Sequence, residues 1–240
     1  MAKKADWAPH NGLLQDLPHD VCERIGGDLQ LVELPVGKVL HEASAQQSTM
    51  YFPREGIVSL LYALENGDTS EVAMIGNEGV VGIGLVANNR TLPVRAVVQA
   101  GGEALALRAD IAQREFRRGG AFQAILLRYM QALLTQTALT GVCNRHHTVD
   151  RQLSRWLLLV NDRIGSAEIK MTQEQIARLL GVRREGITEA ARRLQDDGCI
   201  RYSRGLIQVL ERECLLARSC ECYSGIRNEY DRLLGSDSGA

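Results

Sequence analysis

Residues 171–194 read MTQEQIARLLGVRREGITEAARRL, and the understanding of the whole chain turns on them. Thr172 and Gln175 form the Ser/Thr-x-x-Glu/Gln pattern of a capping box, in which two side chains satisfy two orphan amides at a helix start. Ile176, Leu179 and Leu180 supply that helix with a buried face. Gly181 follows, where left-handed backbone is cheapest for glycine, and Val182 fills the gap before the next helix. The second helix buries Ile187, Ala190, Ala191 and Leu194, which span about 100° of the helical wheel; its two alanines allow close approach. Arg184, Glu185, Thr188, Glu189 and Arg192 fall on the opposite side. Two short helices, a glycine turn and a polar second helix with arginines at its start predict a helix-turn-helix.

The residue types suit duplex DNA. Arginine donates a planar pair of hydrogen bonds that matches the two acceptors of guanine, and glutamate accepts from the exocyclic amine of cytosine. Arg184 and Glu185 are therefore the candidate base readers, with Gln173, Thr188 and Glu189 beside them. Thr172, Arg183 and Arg192 are placed to hold phosphates, which position a protein without specifying sequence. Taken alone, such a helix face reads as solvated surface with i,i+4 ion pairs. The capping box, the glycine turn, the alanine seam and a hairpin that follows weigh for DNA. That hairpin, Cys199–Tyr202 and Leu206–Leu210, is the candidate wing, with Ser203 and Arg204 at its tip.

Upstream, residues 29–115 alternate short apolar runs with turn signals, the texture of an all-β sandwich or barrel. The sharpest local expectation is a hairpin of Ile57–Leu64 and Thr69–Ile75 about Asn66-Gly67, a dipeptide that tolerates the positive φ of tight turns. From residue 110 the period lengthens. Phe122, Ile125, Leu126, Tyr129, Leu133, Gln136, Thr137 and Thr140 recur at three- and four-residue steps, predicting one long helix. That seam either packs on the helix's own β domain or forms a two-stranded coiled coil with a second copy; the coiled coil is the stronger expectation, because so long a helix beside a small β domain would otherwise leave much of its seam wet. A helix at 149–162 and an amphipathic helical tail after Arg212 complete the chain, with a short helix at 18–25 before the β region. The divisions are 1–28, 29–115, 116–147, 148–212 and 213–240.

The β region, the long helix and the C-terminal motif together resemble the Crp/Fnr family of bacterial regulators. The likeness covers about residues 15–212. It rests on residues 51–60 (YFPREGIVSL), the long helix, residues 180–185 (LGVRRE) and the wing. It implies an α+β architecture: an N-terminal cyclic-nucleotide-binding-like β-roll (a double-stranded β-helix), a long dimerisation helix and a C-terminal winged helix-turn-helix. It also implies a homodimer on palindromic double-stranded DNA, with RNA polymerase as a further partner. Arg184 and Glu185 fall on the family's recognition pair. Glu189 stands where cyclic-AMP-binding members have an arginine, and Arg183 stands where a capping hydroxyl is common. Gly82, Arg90 and Thr91 match the family's cyclic-phosphate loop, but Val80 replaces its ribose-binding glutamate, so no effector is assigned.

Composition fits this picture. The net charge is −1, yet residues 150–204 hold eleven Lys and Arg against eight Asp and Glu, so the basic excess falls on the motif. There is no apolar run long enough to span a membrane and no secretory pattern, so a cytoplasmic protein with reduced thiols is expected. The six cysteines show no iron–sulfur spacing. Cys214, Cys220 and Cys222 make only a loose group, and no metal site is expected. His146-His147 reads as surface at a helix junction, and Trp156 as helix packing. A cupin-type metalloenzyme would need clustered histidines and a carboxylate, and the β region offers His41 alone. No enzyme is therefore expected. A sensor acting on a protein partner would lack the helix-turn-helix.

Overall fold

The computed structural model describes residues 10–87, 91–166 and 168–235. Its β region is organised about the hairpin of β4 (Ile57–Ala63) and β5 (Thr69–Ile75). Ala63 pairs with Thr69, and the Leu64 amide donates to the Asp68 carbonyl at 2.8 Å. The loop therefore has three residues, 65–67, rather than the tight turn expected of Asn-Gly. Only Gly67 takes a positive φ, +88°. The Asn66 side chain accepts the Asp68 amide at 3.0 Å, which holds the loop. This is the three-residue hairpin with a left-handed glycine at its end.

Five more strands complete the roll: β1 (Gln30–Leu34), β2 (Val39–His41), β3 (Thr49–Pro53), β6 (Arg95–Ala100) and β7 (Gly102–Arg108). They form two antiparallel sheets, β1-β7-β3 and β2-β6-β4-β5. Met50, Phe52, Val58, Ile75, Val98, Leu105 and Leu107 are buried in this β region. Helices α1 (Gly12–Gln15) and α2 (His19–Gly26) precede the roll. Buried Asn11 caps α1 and ties it to the roll, donating to Pro53 O at 2.8 Å and Gly79 O at 2.9 Å.

Helix α3 (Ala109–Arg118) leads through Gly119-Gly120, both at positive φ, into α4 (Ala121–His146). The 26 residues of α4 span about 39 Å. Here the structure corrects the expected dimer seam. Phe122, Ile125, Leu126, Tyr129, Leu133, Gln136 and Thr140 are buried within the one chain. Gln136 Nε2 donates to Met74 O of β5 at 3.0 Å, and Tyr129 lies so close to Gly79 that a Cβ there would sit 2.6 Å from it. The rest of this face is covered by the tail. That tail is two helices, not one: α8 (Arg212–Arg218) and α9 (Glu221–Leu234). Helix α9 lies along α4, with Gln131 bonded to Glu229 at 3.2 Å and the Tyr129 and Tyr230 rings edge to face at 6.5 Å. Of the eight expected residues only Thr137 is exposed.

A different stripe of α4 faces outward. Ala124, Leu127, Gln131, Leu134, Ala138 and Gly141 are all exposed, at alternating three- and four-residue steps. Leu127 is 49 %, Leu134 68 % and Val142 49 % exposed. No helix among the described residues is long and apolar enough to cross a membrane.

Candidate DNA interface

After α5 (Val149–Ile164) come β8 (Glu168–Lys170), α6 (Gln173–Leu180), α7 (Arg184–Asp196), β9 (Ile200–Ser203) and β10 (Leu206–Val209). The capping box forms in both directions: Thr172 Oγ1 accepts the Gln175 amide at 3.2 Å, and Gln175 Oε1 accepts the Thr172 amide at 2.8 Å. Gly181 ends α6 in left-handed backbone (φ 67°, ψ 34°). The α7 residues Ile187, Ala190, Ala191 and Leu194 are at most 3 % exposed. The three strands make one antiparallel sheet, β8-β10-β9, and Arg204 and Gly205 turn the β9–β10 hairpin at positive φ.

The candidate DNA residues fall on one surface. Thr172, Arg183, Arg184, Glu185, Thr188, Glu189, Arg192, Ser203 and Arg204 are exposed, and Gln173 is half-buried. Arg183 is the α7 N-cap but makes no side-chain cap bond, which leaves its guanidinium for another partner. Among the described residues no ion pair engages Arg183, Arg184, Glu185, Arg192 or Arg204. Two neighbours behave differently. Arg193 is drawn back onto α5 by a two-pronged bond to Asp150 at 2.8 and 2.9 Å, and Glu189 lies 3.7 Å from it. Thr188 Oγ1 donates to Gln173 Oε1 at 2.6 Å, joining the starts of α6 and α7. A notch of about 260 Å³ opens between them and the wing, lined by Thr172, Gln173, Glu174, Arg184, Tyr202, Arg204 and Gly205. Its lining is mostly polar and includes two arginines and the Glu174 carboxylate.

Residues 151–218 match the family model of the Crp-like helix-turn-helix domain. This segment is a Crp-like helix-turn-helix domain. In front of it stand a β-roll and a long helix, and this arrangement is similar in fold to solved structures of bacterial regulators. The same fold is found in FixK2 from Bradyrhizobium japonicum, with a TM-score of 0.69 at 13 % identity over 80 % of this chain and 98 % of that one. CLP, a c-di-GMP-responsive global regulator from Xanthomonas campestris, gives 0.63 at 17 % over 80 % and 99 %. A Crp/Fnr-family transcriptional regulator from Thermus thermophilus gives 0.62 at 18 % over 78 % and 97 %. At these identities the likeness is one of fold. No curated protein sequence matches the chain.

The Crp-like domain is docked on the β-roll. A Cβ on Gly181 would lie 2.5 Å from Ser70 Oγ of β5. Trp156 of α5 is buried, not between helices alone but against the roll, where its Nε1 donates to Glu71 Oε1 at 3.1 Å. Ser59 donates to the other Glu71 oxygen. Burial still raises the Glu71 carboxyl to about 7, against those two bonds and the positive charges of Arg155 and Arg163. A cavity of about 330 Å³ opens here, lined by residues that include Ile57, Ser59, Glu71, Trp156, Val160 and Ile169.

The described part of the loop expected to hold a cyclic phosphate packs closely on the roll. Val80 and Leu85 are fully buried. Gly82 adopts φ +96° with His41 Nε2 and the Thr49 carbonyl close above its Cα, so the backbone approach to β3 explains this glycine. Thr91 is half-buried, and Arg90 lies outside the described residues. His41 is buried beside Tyr51, ring centroids 5.6 Å apart, and burial lowers its pKa.

The cysteines depart most from expectation. Cys199 and Cys214 form a disulfide that joins the α7–β9 turn to α8, with Cα atoms 5.1 Å apart, inside the usual range for such bonds. Cys143, Cys220 and Cys222 are buried together beside His147, which is half-buried and not a surface residue. The signal was present as a Cys-x3-His pair and a Cys-x-Cys pair 77 residues apart; only the return of α9 along α4 joins them.

Proposed function

We propose that the chain is a cytoplasmic, Crp/Fnr-type transcription regulator that binds palindromic double-stranded DNA as a homodimer and engages RNA polymerase. In this reading residues 29–115 sense, 116–147 dimerise and 148–212 bind DNA. The observation that carries it is the exposed start of α7, where Arg184 and Glu185 are held without charge partners between a basic cap residue and the wing. Arg184 reads guanine, Glu185 accepts from cytosine, and Thr172, Arg183, Arg192 and Arg204 hold phosphates. The exposed stripe of α4, from Ala124 through Leu127, Gln131, Leu134 and Ala138 to Gly141, has the heptad spacing of a two-stranded seam. It takes the place of the buried face as the dimer contact. Two such chains would set their α7 helices about 34 Å apart, one turn of DNA.

The test is selection of bound sequences from a random duplex pool by the full chain. A palindrome with G:C pairs in each half-site is expected, and Glu185→Ala should relax preference at one position per half-site. An unchanged preference in that variant would remove Glu185 from the base-reading set. Enrichment of no sequence at all would refute the reading.

A further inference from the structure

Cys143 and His147 stand one turn apart at the end of α4, while Cys220 is the N-cap of α9 and Cys222 lies in its first turn. The packing of α9 on α4 brings one donor atom from each within 4.8 Å of all the others. Cys143 Sγ and Cys220 Sγ are 3.6 Å apart, and Cys222 Sγ lies 3.7 Å from His147 Nδ1. Sulfurs about 2.3 Å and a nitrogen about 2.0–2.1 Å from one tetrahedral centre would be separated by about 3.5–3.8 Å. The two measured edges have that length. The thiolates of an iron–sulfur cluster must surround several atoms, and this group is too tight for that.

The surroundings complete the arrangement. His147 Nε2 faces Glu221 Oε1 at 3.4 Å. A carboxylate on the outer ring nitrogen fixes the tautomer and turns the Nδ1 lone pair inward, the usual outer partner of a metal-bound histidine. Three soft sulfurs and one imidazole in tetrahedral array select zinc among common divalent ions.

We propose that Cys143, His147, Cys220 and Cys222 form a closed, structural Zn²⁺ site that clamps the tail helix to the α4–α5 junction. Binding forms three Zn–S bonds and one Zn–N bond, converts three thiols to thiolates and releases their protons to solvent without change of oxidation state. Four protein ligands leave no open position, so the ion holds structure and does no chemistry. Its place matters: the chain passes from α4 to α5 at residues 147–148, and the His147 carbonyl accepts Gln152 Nε2 at 2.8 Å. The ion would thus fix the angle at which the Crp-like domain leaves the long helix.

The full chain, stripped of metal and kept reduced, should take up one equivalent of Zn²⁺. Co²⁺ in its place should give tetrahedral d–d bands with thiolate-to-metal charge transfer. Cys143→Ser and Cys222→Ser should each lose stoichiometric binding, while Cys22→Ser, altered in the distant helix α2, should keep it. Glu221→Gln changes an exposed side chain that folding does not need, and should weaken Zn²⁺ affinity about 10- to 100-fold. Failure of the wild type to bind Zn²⁺, or one equivalent retained by both ligand variants, would overturn the site. So would formation of a Cys143–Cys220 disulfide by oxidised glutathione as readily with Zn²⁺ present as without it, which would assign the pair to thiol redox chemistry.

Discussion

Replacing Glu71 by glutamine should remove a loss of stability that this fold suffers as pH rises. Glu71 is fully buried where the roll meets α5, bonded to Ser59 and Trp156, with Arg155 and Arg163 the charges that face it. Burial lifts its carboxyl from 4.5 to about 7 in the folded chain. The folded state then holds a proton that the unfolded chain gives up, so between these two values unfolding releases a proton. Stability from this group is fully present below about pH 4.5 and is lost as pH rises toward the folded pKa. At about 1.4 kcal/mol per unit, a shift of roughly 2.5 units amounts to about 3 kcal/mol lost by pH 7–8. Glu71→Gln keeps the size of the protonated acid; its oxygen can accept from Trp156 while its amide donates to a reoriented Ser59 hydroxyl, and it has no proton to lose. Relative to their acid limit, the variant should exceed the wild type by about 1 kcal/mol at pH 5 and by about 3 kcal/mol at pH 8. Urea unfolding from pH 5 to 9, followed by tryptophan emission, measures this. A difference between the two proteins that does not change with pH, or a wild type that gains on the variant as pH rises, would show that Glu71 is not held protonated by burial.

The other predictions concern the two faces of α4, the loop at Gly79 and the phosphate contacts. Leu134→Glu alters a side chain 68 % exposed in the single chain, so the monomer should fold normally. Charges facing each other across the seam should cost the dimer about 3–5 kcal/mol, a hundredfold or more in affinity; sedimentation showing an intact dimer would contradict the proposed stripe. Gln136→Ala, on the buried face, should instead cost about 1–3 kcal/mol of stability and leave dimer affinity alone. Gly79→Ala drives a methyl group into Tyr129 and should cost about 1–3 kcal/mol by denaturant melt; a neutral result would mean that α4 sits further from the roll. Arg192→Ala should weaken binding to all duplexes alike and lower the salt slope by about 1; a loss confined to one base pair would remove it from the phosphate set.

The motif at 171–194 was legible because its signals are local. A capping box, a glycine needing left-handed backbone and two buried stripes each depend on neighbours within four residues, and the structure realises all of them. Signals that depend on distant partners were not. Asn66-Gly67 promised a tight turn, but the Leu64–Asp68 backbone bond beyond the Ala63–Thr69 pair leaves three residues to close the loop, and Asn66 bonds Asp68 instead. The cysteine group needs α9 to fold back over 77 residues of chain, and no spacing rule encodes that return.

Helix α4 shows why a periodic pattern can be right about structure and wrong about partner. Its sequence holds two apolar stripes, one through Phe122, Tyr129 and Gln136, the other through Leu127 and Leu134. The first is larger and more aromatic, and so reads as the stronger seam. Yet bulky, irregular side chains suit a one-sided fit against the roll and α9, where each finds a different pocket. Small or aliphatic residues at strict three–four steps suit a symmetric contact, where each position must meet its own copy across the axis. The tail decides the assignment. By covering Tyr129 and Leu139 with Tyr230 and Gly225 and bonding Gln131 through Glu229, α9 takes up the space beside the first stripe and leaves Ala124, Leu127, Leu134 and Ala138 as the face open to another chain. A clamp at Cys143, His147, Cys220 and Cys222 would act on that same division, since it would tie the first turn of α9 to the end of α4.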